Sequence, residues 1–226
     1  MWLSSLNELS EDMTFTTVGV GGFASNAGKT TLMCELLRAL EPGWEAIKIT
    51  RGHYRSCGKD PQACCVSHLL SEQPVIRSGR AETYAAGKDT GRYWDAGAAN
   101  VHWLIVTDKQ VERGIKSALE RVRAKGVLIE GTSFVQFVEV DLMLMAARAA
   151  GEGKIKPSAR RALAKTDALY LFDEDAGATE TRARFAASPF GAAGENLTGS
   201  IPVYTREDLP RLVERVREIQ RSGVAA

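Results

Sequence analysis

The sequence predicts an α/β domain of three layers around a central, mostly parallel sheet. Three observations predict it. Short β-branched or fully apolar runs alternate with stretches of helical period along the chain. The first run, 15–22, ends in glycines and passes through a short loop into an amphipathic helix. At 226 residues, 44% of them apolar, the chain suffices for one large core and is short for two.

The elements follow in order. Residues 15–22 read as a strand running into a tight loop, and 30–40 carry Leu32, Leu36, Leu37 and Leu40 on one helical stripe. Pro42 and Gly43 stop that helix, and 44–50 is a second strand. Residues 51–87 are polar, cysteine-bearing and weakly periodic, an irregular insertion with one short helix around 66–71. Beyond it the pattern predicts a helix at 90–99, a strand at 101–107 and an amphipathic helix at 109–125. A short apolar strand at 127–129 is bounded by Gly126 and by Glu130-Gly131. A strand at 138–145, a basic helix at 158–165, a strand at 168–172 and a helix at 179–187 come next. A strand at 201–204 and a charged helix at 206–222, whose interspersed signs mark a solvated face, close a single domain spanning 1–226.

Composition excludes several function classes. With 29 Lys and Arg against 28 Asp and Glu, the net charge of +1 argues against gripping nucleic acid or anionic lipid through bulk charge. The most apolar stretch, 134–150, is interrupted by Glu139, Asp141 and Arg148, so it falls short of a membrane span. An acidic N-terminus without a basic start does not read as a signal peptide. Four cysteines in a chain of this length read as reduced thiols, which implies a cytoplasmic protein.

Gly28-Lys29-Thr30 is the sharpest motif: it follows a strand and a glycine-bearing loop, and it opens a helix. That is the setting of a phosphate loop. Backbone N–H groups around Ser25, Asn26, Ala27, Gly28 and Lys29 would form a concave nest at a helix N-terminus. The Lys29 ammonium would reach the outer phosphates of a nucleoside triphosphate, Thr30 would coordinate Mg²⁺, and Thr31 would support an inner phosphate. The standard pattern has glycine five positions before Gly28, where this chain has Phe23.

The run Gly22-Phe-Ala-Ser-Asn-Ala-Gly-Lys-Thr-Thr-Leu32 resembles the loop of the molybdopterin-guanine dinucleotide biosynthesis protein B family. Ala86-Gly-Lys-Asp-Thr90 with Asp95-Ala-Gly-Ala98, and Val127-Leu-Ile-Glu-Gly131, are similar to two further segments of that family in the same order. The resemblance spans about Val18 to Gly131, and the family's histidine-rich stretch is represented only by Lys48-Ile-Thr-Arg-Gly-His53. It implies a P-loop NTPase fold that binds GTP with Mg²⁺, hydrolyses it slowly, and acts as a homodimer or beside a cofactor-biosynthesis partner protein. That partner attaches a nucleotide to molybdopterin.

Glu130, at the end of a buried strand, is placed to hold Mg²⁺ or orient water, and Asp89 is the second acidic candidate. Lys88 is a candidate phosphate contact across a dimer, and Arg51 and Arg92 are candidates for a charge-stabilising arginine. Cys57, Cys64, Cys65 and His68 offer soft donors for a metal, though no paired Cys-x2-Cys is present. Ala164-Lys-Thr-Asp167 imitates a guanine-reading box but precedes a strand rather than following one, which leaves GTP and ATP both open. Two other classes fit the same residues: an ATP-dependent small-molecule kinase or ligase with 51–87 folded over an acceptor, and a nucleotide-dependent metallochaperone with the cysteines as cargo site.

Overall fold

A computed structural model describes residues 15–40, 42–52, 66–149, 155, 157–191 and 201–224. Its eight strands are β1 (Thr16–Gly22), β2 (Trp44–Arg51), β3 (Val75–Ser78), β4 (Asn100–Val106), β5 (Gly126–Glu130), β6 (Leu142–Arg148), β7 (Ala168–Phe172) and β8 (Val203–Tyr204). They form one sheet in the order β3-β4-β2-β5-β1-β6-β7-β8, parallel throughout except that β3 pairs antiparallel with β4. The helices are α1 (Lys29–Ala39), α2 (Arg80–Thr83), α3 (Asp89–Asp95), α4 (Val111–Leu119), α5 (Pro157–Leu163), α6 (Ala178–Ala187) and α7 (Leu209–Val224). Among the described residues, no helix is long and apolar enough to cross a membrane.

The two faces of the sheet bury separate cores. One joins Val18, Val20, Leu128 and Leu144 to Leu32 and Leu36 of α1, Tyr93 of α3 and Leu212 of α7. The other joins Ile47, Ile129 and Met143 to Ile115 of α4, Ala159 of α5 and Phe185 of α6. Helices on both faces of a mostly parallel sheet make three layers. The Val-Gly-Val-Gly run of β1 follows from this. Its valines pack under α1, while a side chain at Gly19 would come within 2.5 Å of the Met143 sulfur on the opposite face.

Several expected elements are redrawn. Within 51–87, expected to be irregular, the described part holds a 3₁₀ turn at Ser67–Leu69, the edge strand β3 and the short α2. The expected helix at 66–71 is therefore a single turn. Residues 53–65, with His53 and Cys57, Cys64 and Cys65, lie outside the described residues. The helix at 109–125 is shorter: a 3₁₀ turn at Asp108–Gln110 leads into α4, and Val122 N–H turns back to Leu119 O, 3.0 Å away. The strand at 138–145 starts later, at Leu142, because 134–136 form a 3₁₀ turn. The chain rejoins the sheet where the Asp141 carboxylate accepts from Thr17 N–H and Oγ1, each at 2.7 Å. The helix at 90–99 stops at Asp95, before Gly97 at φ 95°.

Candidate functional site

Six residues, 23–28, connect the end of β1 to the start of α1. Asn26 at φ 59° and Gly28 at φ 90° bring the backbone into left-handed turns on either side of Ala27. Gly28 offers no capping side chain, and the first turn of α1 holds no acid. The N-terminal N–H groups of an eleven-residue helix thus face a cleft without a carboxylate of their own turn to oppose an anion. Phe23, the departure from the standard pattern, is fully buried and packs against Phe185 and Phe190, with ring centroids 6.1 and 5.5 Å away. Its side chain leaves the loop for the core, so the nest forms without the first glycine.

The cleft encloses about 580 Å³ over the C-terminal ends of β1, β2 and β5, where open parallel sheets place their ligands. Ser25, Asn26, Ala27, Gly28, Lys29, Thr30 and Thr31 all line it, together with Asp89 and Glu130. The loop residues, Thr30, Asp89 and Glu130 therefore meet in one place. Arg51 and Arg92 also line the cleft, but the Arg51 guanidinium pairs with Asp108 at 2.8 Å. Lys88 is exposed and outside it.

At its centre the two acids share their partners. Thr30 Oγ1 lies 3.0 Å from Asp89 Oδ1 and 3.2 Å from Glu130 Oε2. Lys48 Nζ lies 2.6 Å from Asp89 Oδ2 and 2.7 Å from Glu130 Oε1. The hydroxyl of the fully buried Tyr93 donates to Glu130 Oε2. Burial alone would raise the Asp89 pKa, but the Lys48 ammonium and the Thr30 hydroxyl outweigh it and hold the carboxyl below its ordinary value. Burial likewise opposes the charge on Lys48, and the two carboxylates override it, raising its pKa. For Tyr93, burial and then the Glu130 charge push the phenol well above its usual value, so it remains a donor.

Three functional side chains escaped the sequence reading. Lys48 belongs to no motif in β2, and its position in the sheet, not its spacing, brings it to the acids. Tyr93 carries no motif. Arg148, at the end of β6, donates from Nε to the Asn26 carbonyl at 3.0 Å and so braces the loop from across the cleft. Lys165 lies exposed in the turn just beyond α5, and Asp167 Oδ2 accepts from Met143 N–H at 2.7 Å before β7 begins.

The donor set fits a magnesium ion. A hydroxyl and two carboxylates, Thr30, Asp89 and Glu130, are hard oxygen ligands of the number Mg²⁺ takes from protein when phosphates and waters complete its shell. Soft donors do not join them: among the described residues no group of three or more His, Cys, Asp or Glu gathers to hold a metal, and His68 is exposed.

The sheet order and the loop define a P-loop protein, and a solved structure shares the fold. HypB from Helicobacter pylori, in complex with nickel, superposes with a TM-score of 0.55 at 13% identity, covering 93% of this chain and 89% of its own. LpxK from Aquifex aeolicus, in complex with ATP, covers 84% of this chain and 53% of its own at 15% identity and a TM-score of 0.46. No protein-family model and no curated protein matches the sequence. Likeness at these identities concerns the fold: the chain is a three-layer α/β P-loop protein.

Proposed function

We propose that the chain is a cytoplasmic P-loop NTPase that binds GTP or ATP with Mg²⁺ and hydrolyses it slowly. The single observation that carries this reading is the convergence of the Asn26–Thr31 nest, Lys29, Thr30, Asp89 and Glu130 on one cleft. The loop N–H groups and Lys29 would stabilise charge on the transferring phosphate. Thr30 and Glu130 would hold Mg²⁺, whose chemistry is to neutralise charge on the phosphate oxygens. Glu130, whose side chain is almost fully buried beside Thr30, suits a ligand-holding role. Asp89, whose side chain is 39% exposed, is the acid open to an attacking water. The further role, as a homodimer or beside a partner that attaches a nucleotide to molybdopterin, rests on the resemblance of the loop, Ala86–Thr90 and Val127–Gly131 segments.

Calorimetric titration of GTP and ATP with Mg²⁺, on the native chain and on Lys29→Ala, tests it. One nucleotide is expected to bind the native chain with micromolar or tighter affinity and to fail with the folded variant. A folded native chain that binds neither nucleotide overturns the reading. Nucleotide consumption that requires a small-molecule acceptor would instead indicate a kinase or ligase.

A further inference from the structure

Lys48 is placed by the backbone rather than by the freedom of a long side chain. On β2 it is the direct register partner of Glu130 on β5, and β2 and β5 are neighbours in the sheet. Partners in a parallel pair send their side chains to the same face. The Lys48 side chain is 16% exposed and that of Glu130 only 3%, so the ammonium and carboxylate meet largely out of water. Asp89, the first residue of α3, closes the arrangement from the other side.

Counting charge around this cluster shows a conflict. One ammonium and two carboxylates leave a net charge of −1. The Thr30-facing oxygens, Asp89 Oδ1 and Glu130 Oε2, are engaged by Thr30, and the second of these also by Tyr93. The other oxygen of each acid, Asp89 Oδ2 and Glu130 Oε1, is held by the Lys48 ammonium. A divalent ion held by these carboxylates would be brought close to the ammonium, and like charges in a partly dry site repel.

We propose that Lys48 is the resident cation of the metal site: it holds the Asp89–Glu130 pair assembled and must be displaced for a divalent ion to bind. This rests on reading the cleft as a magnesium–nucleotide site. The displaced ammonium remains on a four-carbon stem at the cleft and finds its new counter-charge on the triphosphate. Metal and triphosphate then favour one another's binding, and the divalent ion alone binds poorly. Coupling of this kind is reciprocal.

Mn²⁺ binding, read by loss of the free-ion paramagnetic resonance signal, tests the proposal with and without inorganic tripolyphosphate. The native chain is expected to bind Mn²⁺ weakly alone and more tightly with tripolyphosphate. Folded Lys48→Met is expected to bind Mn²⁺ alone about tenfold more tightly, with the tripolyphosphate enhancement reduced. A folded variant that binds Mn²⁺ alone no better than the native chain overturns the proposal, and would make Lys48 a residue that merely orients the acids.

Lys48→Met leaves Glu130 with one partner fewer in a buried place, and if it does not fold the native chain still decides. Acetylation of Lys48, followed by mass spectrometry, should rise when Mg²⁺ is added alone; unchanged reactivity under saturating Mg²⁺ overturns the proposal. Both measurements use no nucleotide. A native chain that ignores GTP and ATP therefore counts against the nucleotide reading and leaves the Lys48 comparison to be decided on its own.

Discussion

The ring of Phe172, at the end of β7, lies against Gly28 so closely that a Cβ at position 28 would come within 2.3 Å of it. Gly28 also sits at φ 90°. Two separate constraints, steric and conformational, therefore meet at the residue before the phosphate-loop lysine. Gly28→Ala is expected to cost about 1–2 kcal/mol for the left-handed backbone and about 1–3 kcal/mol for overpacking, and to abolish nucleotide binding. Adding Phe172→Ala should return only the steric part. Urea denaturation of the two variants separates the terms, and full recovery in the double variant would show that backbone conformation is irrelevant at this position.

Phe23 stands where the standard loop pattern has glycine, yet restoring the pattern should harm the protein. The side chain is fully buried between Phe185 and Phe190. Phe23→Gly removes it and leaves a cavity, at an expected cost of about 3–5 kcal/mol from lost burial and about 1 kcal/mol more for glycine's flexibility. Affinity for nucleotide should not improve, because the nest is built from residues nearer the lysine. A variant that binds more tightly than the native chain would contradict this placement of Phe23.

Gly28-Lys29-Thr30 was legible because a phosphate loop is a local device: its strand, its turn and its helix are consecutive. Glu130 was legible because a strand end followed by glycine has a known place in a parallel sheet. Lys48 was not, because its meaning depends on register with Glu130, 82 residues away, and no local pattern specifies which strands become neighbours. Strand β3 was hidden for a related reason. Its four residues are half-buried at the sheet edge and carry no alternation long enough to register as a strand. The shortened α4 and the late start of β6 each follow a 3₁₀ turn, whose hydrogen bonds leave no hydrophobic period in the sequence.

Tyr93 makes a prediction that separates positioning from packing. Its ring, on α3, fills the core against α1, and its hydroxyl donates to Glu130 Oε2 in the cleft. Tyr93→Phe keeps the ring and deletes the donor. Losing a hydrogen bond to a charged group should cost about 1.5–3 kcal/mol of stability. Magnesium-dependent nucleotide affinity should fall about tenfold or more, the usual scale for a residue that orients a metal ligand. Parallel urea and calorimetric titrations check it; a stability loss with unchanged affinity would leave Tyr93 a packing residue alone.

Asp208 supplies the pH prediction, at a distance from the cleft. Its Oδ2 accepts from Thr205 N–H at 2.9 Å, from Thr205 Oγ1 at 2.8 Å and from Arg182 at 2.5 Å, just before α7 begins. Burial would raise its pKa, but the Thr205 bonds and the Arg182 charge prevail and lower it. An aspartate in the unfolded chain titrates near 4. Between that value and the lower folded one, the unfolded chain binds the proton and the native chain does not, so stability rises with pH across the interval. The contribution is complete above the unfolded value and is lost as pH falls through the folded one. Asp208→Asn keeps the cap geometry and removes the charge, so it should be less stable by about 1–2 kcal/mol at pH 7, with the gap closing below about pH 4. Urea midpoints of both proteins from pH 7 down to pH 3 measure that gap, and a constant difference across the range would show that the carboxylate's charge contributes nothing to holding α7.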